Sequence, residues 1–315
     1  MLAVALLALV LLMAALTRGR FIDPANLRDI IVNTSIPVVV AAGMTALIVA
    51  AQIDISVGAI VAVAAVIVAL LAEKGVPLPL LVLAGTAAGA LLGSVNGGLT
   101  AGLRIPSIVA TLATLGAIRG LLVLVTHGNS IPVPPGLTAI GAAGLGPTDL
   151  TQGWILVLAA AAVCAAMSVY LGRTRAGRRQ YAVGSNPRSA ELSGVPVGWV
   201  TFRSFVLLGA LAGVAGFLFV CRYTPIYPTP TRGFELEVIT AVVVGGTDIF
   251  GGRGTIAGTC LAALLLSTIA TSLAFLRSYM KEAFGFDLPS EAQPAVQGLL
   301  ILAAVLYNSL SRRAE

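Results

Sequence analysis

Charge is scarce in this chain. Asp and Glu number 13 and Lys and Arg 19 among 315 residues, only 10% in all, against about a quarter in an ordinary soluble domain. So few charges cannot solvate a globular surface, which excludes a water-soluble fold. Histidine is nearly missing: His127 stands alone, in a glycine-rich stretch, so no paired-histidine metal site can be built. The three cysteines, Cys164, Cys221 and Cys260, lie in or beside apolar runs at unrelated spacings. They match neither a disulfide framework nor a metal template and read as small core residues. Catalytic serine motifs are also absent, so nothing in the chain points to an enzyme. A net charge of +6 would suggest nucleic acid in a soluble protein, but arginines beside membrane spans set topology instead. No nucleic-acid partner is expected.

What fills the chain is apolar sequence. Hydrophobic residues make up 58% and mean hydropathy is +1.00, arranged in long runs. Runs of about 17–25 apolar residues cross a bilayer as helices. The expected fold is therefore all-α and polytopic, a single transmembrane domain over residues 1–315 with about ten spans. Their expected limits are 2–16, 32–51, 57–72, 78–96, 105–125, 153–171, 199–221, 235–250, 254–276 and 292–310. The opening MLAVALLALVLLMAAL reads as the first span, because it has no basic leader and Thr17-Arg18-Gly19-Arg20 is no cleavage site. Small residues crowd stretches such as AGTAAGALLGS (84–94) and LLGALAGVAG (207–216). Small residues are what let membrane helices approach closely.

Basic residues set the orientation. Residues 172–195 carry Arg173, Arg175, Arg178, Arg179 and Arg188 against the single acid Glu191, so the loop 172–198 is expected on the cytoplasmic side. Ten spans then leave both termini cytoplasmic, in agreement with Arg312 and Arg313. Arg18, Arg20 and Arg28 fall outside, partly offset by Asp23 and Asp29. Within the loop, SNPRSAELSG has the grammar of a short helix: Asn186 as N-cap, Pro187 at the first position, Gly194 as stop. Two turns are too short to be stable alone, so the segment must lie on lipid or on a partner.

TALIVAAQIDI (45–55) aligns with TAVVVGGTDI (240–249), and each precedes a glycine (Gly58, Gly254) and a new apolar run. This suggests two pseudo-repeated halves, spans 2–5 and 7–10, of the kind that place a substrate path at their interface in transporters. Asp54 and Asp248 close the two repeated segments as turn or capping residues, with Arg253 marking the cytoplasmic face. Intramembrane polar residues demand partners or a wet cavity. Arg119 lies deep in the fifth span, with Glu235, Glu237 and Asp54 as candidate partners. Ser94, Asn96, Thr111 and Thr114 could line a path, although membrane threonines also satisfy backbone carbonyls.

The glycine-rich GGTDIFGGRG (245–254) invites a phosphate-binding reading, but it lacks both the spacing and the lysine of G-x-x-x-x-G-K-[ST]. No nucleotide, metal or other cofactor is expected on this chain. FIDPANLRDI, AQIDISVGAIVAVAA, GLRIPSIVATLATLGAIRGLLVLVTHG, RTRAGRRQYAVGSNPRSAELSGV, GFELEVITAVVVGGTDIFGGRGTIAG and AVQGLLILAAVL together resemble the membrane permease of ribose-type sugar ABC importers. That family includes permeases for other monosaccharides and for a furanosyl autoinducer. The resemblance covers nearly the whole chain in order. It implies a second permease subunit, identical or paralogous, cytoplasmic ATPase subunits that bind ATP and Mg, and a periplasmic or lipid-anchored sugar-binding protein. The setting would be a bacterial inner membrane. It also implies that the helix around Asn186, Pro187, Arg188, Ala190, Glu191, Leu192 and Gly194 docks on the ATPase as a coupling helix. The alternative is an ion- or proton-coupled secondary transporter working without an ATPase. Such carriers hold several acids in mid-span, whereas acids here cluster at span ends.

Overall fold

A computed structural model describes residues 2–144, 152–227, 231, 233–284, 295, 298 and 299. Among them are twelve α-helices and no strand beyond two isolated bridges, Ile131 with Ile226 and Gly144 with Gln152. The helices are α1 (Leu2–Leu16), α2 (Pro24–Val49), α3 (Val57–Glu73), α4 (Leu78–Gly97), α5 (Ser107–Thr126) and α6 (Pro135–Ala142). They continue with α7 (Trp154–Arg173), α8 (Arg175–Ser185), α9 (Pro187–Leu192), α10 (Val197–Arg222), α11 (Phe234–Val244) and α12 (Ile256–Phe284). Six of them, α2, α4, α5, α7, α10 and α12, are long and apolar enough to cross a membrane, α4 together with the π-helical turn Gly98–Gly102 that extends it. The chain is an all-α polytopic membrane protein.

Nine of the ten expected spans coincide with α1–α5, α7 and α10–α12. Of the tenth, 292–310, only 295, 298 and 299 are among the described residues, and Arg312 and Arg313 lie outside them. Three details differ. Helix α2 begins eight residues before the expected 32, because Asp23 accepts from the Ala25 N–H and Pro24 occupies the first turn, a start that polarity had hidden. Helix α11 stops at Val244, where Gly245 and Gly246 end it, and at 11 residues it is about 16 Å long, half a bilayer. Helix α6 forms within the loop 126–152, which no apolar run had marked.

The bundle is organised around α2, whose residues from Ile36 to Val49 are all buried. Helices α7, α10, α11 and α12 surround it. The tightest interface joins α4 and α10. Gly85, Gly89 and Gly93 recur every fourth residue on α4 and face Gly213, Gly209 and Phe205 of α10. A methyl group added at Gly89 would overlap the Gly209 carbonyl, and one at Gly213 would overlap that of Gly85. The backbones therefore touch, as membrane helices do when van der Waals packing holds them. The outer faces of α4, α5 and α7 show Leu83, Leu91, Leu121, Leu124, Val125, Leu158 and Val169 exposed, the surface a lipid bath favours.

Candidate functional site: two connectors and the helix that clamps them

The repeated peptides occupy equivalent places in the chain. Each ends a helix and leads through a connector, 50–56 after α2 and 245–255 after α11, into the next helix. In both, an aspartate folds back on the chain two residues ahead. Asp54 Oδ1 accepts from the Ser56 N–H at 2.7 Å, and Asp248 Oδ1 from the Phe250 N–H at 3.0 Å. These are Asx turns. The residue that flanks α3 is Ser56, and Thr255 Oγ1 accepts from the Gly258 N–H at the start of α12. Asp248, eight residues before the first residue of α12, is too far away to cap it. The Arg253 carbonyl accepts the Asp248 N–H at 3.0 Å, and the Arg253 side chain is exposed.

The first connector is locked inside the bundle. Asp54 and Ser56 are fully buried and Asn96 of α4 nearly so. Asn96 Nδ2 donates to Asp54 Oδ2 at 2.9 Å and to Ser56 Oγ at 2.8 Å, while Ser56 Oγ donates to Asp54 Oδ1 at 2.6 Å. From α5, Thr111 Oγ1 accepts the Ile55 N–H at 3.1 Å. Burial pushes the Asp54 carboxyl above its ordinary value, against the hydrogen bonds from Ser56 and Asn96 that favour the ionised form. Three residues singled out separately in the sequence, Asp54, Asn96 and Thr111, thus form one network.

The other candidates are spent locally or elsewhere. Ser94 Oγ donates to the Leu91 carbonyl and Thr114 Oγ1 to that of Thr111, each within its own helix, and both side chains stay partly exposed. Arg119 Nη2 contacts both carboxylate oxygens of Glu235 at 3.2 Å, pinning α5 to the first turn of α11. Glu235 also sits over Gly58 at the start of α3, where a side chain would collide with its carboxylate at 2.7 Å.

The second connector meets the first. The Gly252 N–H donates to the Val49 carbonyl at 2.9 Å, and Thr45 Oγ1 lies 2.8 Å from Thr259 Oγ1. Helix α8 closes over this junction. Thr174 caps it by accepting from the Gly177 N–H, and its buried residues, Gly177, Gln180, Val183 and Gly184, recur at three and four residues, one face of a helix. Gly184 rests on the Val49 carbonyl and, for a Cβ placed there, 2.7 Å from the Gly252 nitrogen. The Tyr181 hydroxyl donates to the Gly254 carbonyl at 2.7 Å, and burial raises its pKa, keeping the proton on. Gln180 Nε2 donates to Ser204 of α10 at 2.7 Å. Reading the loop only from Asn186 onward missed α8. Its signal was present in Thr174 followed by small or apolar residues at helical spacing.

Asn186 both ends α8 and starts α9, where its side chain accepts from the Ser189 N–H at 3.0 Å. The Val195 N–H bonds back to Ala190 and Gly194 takes a φ of 78°, the left-handed helix stop that glycine supplies at little cost. Arg188, Glu191 and Leu192 are exposed, Leu192 at 76%, as are Asn186, Pro187 and Gly194. Ala190 points the other way and packs on Val183 and Val200. The α9 surface is therefore a charged pair, Arg188 with Glu191, beside one large apolar side chain.

The chain matches, over residues 26–305, the family model described as branched-chain amino acid transport system / permease component. It is 34% identical over 312 residues to the ribose import permease protein RbsC of Escherichia coli (strain K12), covering 97% of this chain and 92% of that protein. Its identity to the Bacillus subtilis (strain 168) ribose import permease protein RbsC is 33% over 307 residues, 96% and 90% of the two chains. The autoinducer 2 import system permease protein LsrC of Enterobacter sp. (strain 638) is 33% identical over 314 residues, 98% and 86% of the two. No solved structure matches the chain. With its bundle of apolar helices and near full-length similarity to these import permeases, the chain belongs to the family of transport-system permease components.

Proposed function

We propose that this chain is the permease subunit of an ATP-driven importer for a monosaccharide, a ribose-, xylose-, rhamnose- or galactose-like sugar or a furanosyl autoinducer. The named cargoes of the relatives are ribose and autoinducer 2, which favours a sugar over the amino acids in the family's description. Two copies, or this chain and a paralogue, would form the path in a bacterial inner membrane, with 172–198 and both termini cytoplasmic. Ser94 and Thr114, partly exposed on α4 and α5, would be open to that path. ATP and Mg would sit on partner ATPases, and a periplasmic or lipid-anchored protein would deliver the sugar.

The observation that carries this reading is the continuity from α9 through Asn186 into α8, whose Gly184 and Tyr181 bear on both connectors. An ATPase holding Asn186, Pro187, Arg188, Glu191, Leu192 and Gly194 would pull on α8. Helix α8, braced by Ala190 packing and the Gln180–Ser204 bond, would then shift the junction where α2 meets α3 and α11 meets α12. A two-state bundle biased in this way exposes its path to alternate sides, the rigid-body form of alternating access. The test is reconstitution with the ATPase and binding protein. Sugar-loaded binding protein is expected to stimulate ATP hydrolysis, and uptake is expected to need an active ATPase. Uptake that persists with a hydrolysis-dead ATPase would instead establish the coupled secondary carrier.

A further inference from the structure

Toward the other end of α2 from the connectors lies a cavity of about 450 Å³, within the roughly 300–1,000 Å³ of small-molecule sites. Four helices wall it: α2 with Asn26, Asp29, Asn33 and Pro37, α10 with Phe219 and the residue that ends it, Tyr223, α11 with Phe234 and Glu237, and α12 with Ser267 and Thr271. The two acids of the first turn of α11 divide their work. Two residues of helix turn the side chain by about 200°, so Glu235 goes to Arg119 while Glu237 lines the cavity. Among the described residues the Glu237 carboxylate has no hydrogen bond and no ion pair. A carboxylate inside an apolar bundle without a partner is costly, and a ligand that donates hydrogen bonds would satisfy it.

The lining divides by chemistry. Phe219 and Tyr223 stand with ring centroids 4.6 Å apart, and with Phe234 they supply apolar faces. The polar groups are mostly acceptors or two-way hydroxyls: Asp29, whose Oδ1 is held by Arg28 at 2.8 Å, Glu237, Ser267 and Thr271. Asn33 is fixed by Arg222 Nη2, which donates to its Oδ1 at 3.1 Å. Pro37 has no N–H, so the Asn33 backbone carbonyl lacks its normal helical donor and is a further acceptor on this side. No lysine or arginine is among the lining residues. A zwitterionic amino acid would need a cation for its carboxylate. A neutral polyol needs aromatic faces for its C–H bonds and acceptors for its hydroxyls, which is what the lining offers.

We propose that this cavity is a low-affinity monosaccharide site inside a single permease chain, entered before the sugar reaches the path between subunits. The proposal rests on the importer reading above. It can be tested in lipid nanodiscs holding the permease with its ATPase, with Thr271→Cys labelled by a small methanethiosulfonate and scored at that position by peptide mass spectrometry. Millimolar D-ribose, D-xylose, L-rhamnose or D-galactose is expected to slow labelling, whereas L-leucine is not. Adding Glu237→Ala removes the carboxyl's hydrogen bond to the sugar, so about tenfold more sugar is expected for equal protection. Ala274→Cys, on the same face and exposed, gives a second reporter should Thr271→Cys fail to assemble. Protection by none of the sugars at either position, in complexes that still import sugar with ATP, overturns the site and leaves the importer reading standing. Loss of ATP-dependent import in the unsubstituted complex fails that reading instead. Protection by L-leucine as strong as by sugar also overturns the proposal.

Discussion

The two connectors occupy matching places in the chain yet are held by different neighbours. The α2–α3 connector is enclosed by α4 and α5: Asn96 holds its carboxylate and Thr111 accepts its Ile55 N–H. The α11–α12 connector is glycine-rich, with φ of 89°, 91° and 77° at Gly246, Gly251 and Gly252. It is gripped by α8 as well as by the end of α2, where the Gly252 N–H meets the Val49 carbonyl, and Phe250 stands exposed at 66%. Under the proposed coupling, one copy of the repeat would be a fixed post and the other a moving part. The difference lies in a few positions: Ile53 to Ile55 run through a polar pocket, whereas their counterparts are followed by glycines that open into a turn.

The largest effect should come from the point where α8 touches both connectors. A side chain at Gly184 meets the Val49 carbonyl and the Gly252 nitrogen, both backbone, so no rotamer change can relieve it. Gly184→Ala is expected to destabilise the bundle by roughly 1–3 kcal/mol, and Gly184→Leu to abolish ATP-dependent uptake. Thermal unfolding in detergent and uptake in proteoliposomes measure the two. Normal uptake with leucine at this position would show that α8 does not bear on the junction.

The fixed post should respond in stability rather than in coupling. Asn96→Ala strips donors from Asp54 Oδ2 and Ser56 Oγ in a buried site, which costs about 1–3 kcal/mol for the unsatisfied group. A double-mutant cycle of Asn96→Ala with Thr111→Val should show coupling of about 0.5–3 kcal/mol, since both side chains hold one connector. ATP hydrolysed per sugar imported should stay unchanged in whatever protein folds. A rise in that ratio would make the first connector a moving part as well.

Much of this was legible in the sequence because bilayers leave a loud signal. Nine of the expected apolar helices followed from run length, the small-residue stretches that α4 and α10 use to pack from their glycines but not the pairing of the two, and α9 from Asn186, Pro187 and Gly194. What was not legible has a common physical cause. Helix α8 is polar over most of its surface, so no apolar run marks it, and what Gly177, Gln180, Val183 and Gly184 are buried against depends on the fold. Arg119 had three candidate partners, and only the fold could choose Glu235. Glu237 was named there as a possible ion-pair partner, and its place in a cavity depends on how α11 is turned. The Asp54–Asn96–Thr111 network is made of bonds between residues 40 to 56 apart in sequence, a pairing that spacing cannot express.

The smallest expected effect sharpens the contrast most. Tyr181→Phe deletes one hydroxyl, the donor to the Gly254 carbonyl, and leaves the ring, the helix and Gly184 in place. A neutral hydrogen bond of this kind contributes about 0.5–1.5 kcal/mol, so the melting temperature should barely move. If α8 only covers the second connector, transport should barely move either. If α8 carries motion to it, the loss should fall on coupling: ATP hydrolysis stimulated by loaded binding protein persists, while sugar imported per ATP declines. Asn96→Ala provides the opposite pattern, lower stability at constant coupling. Finding both variants altered in the same quantity would erase the division between a fixed and a moving connector, because identical responses cannot come from one element that holds and another that transmits.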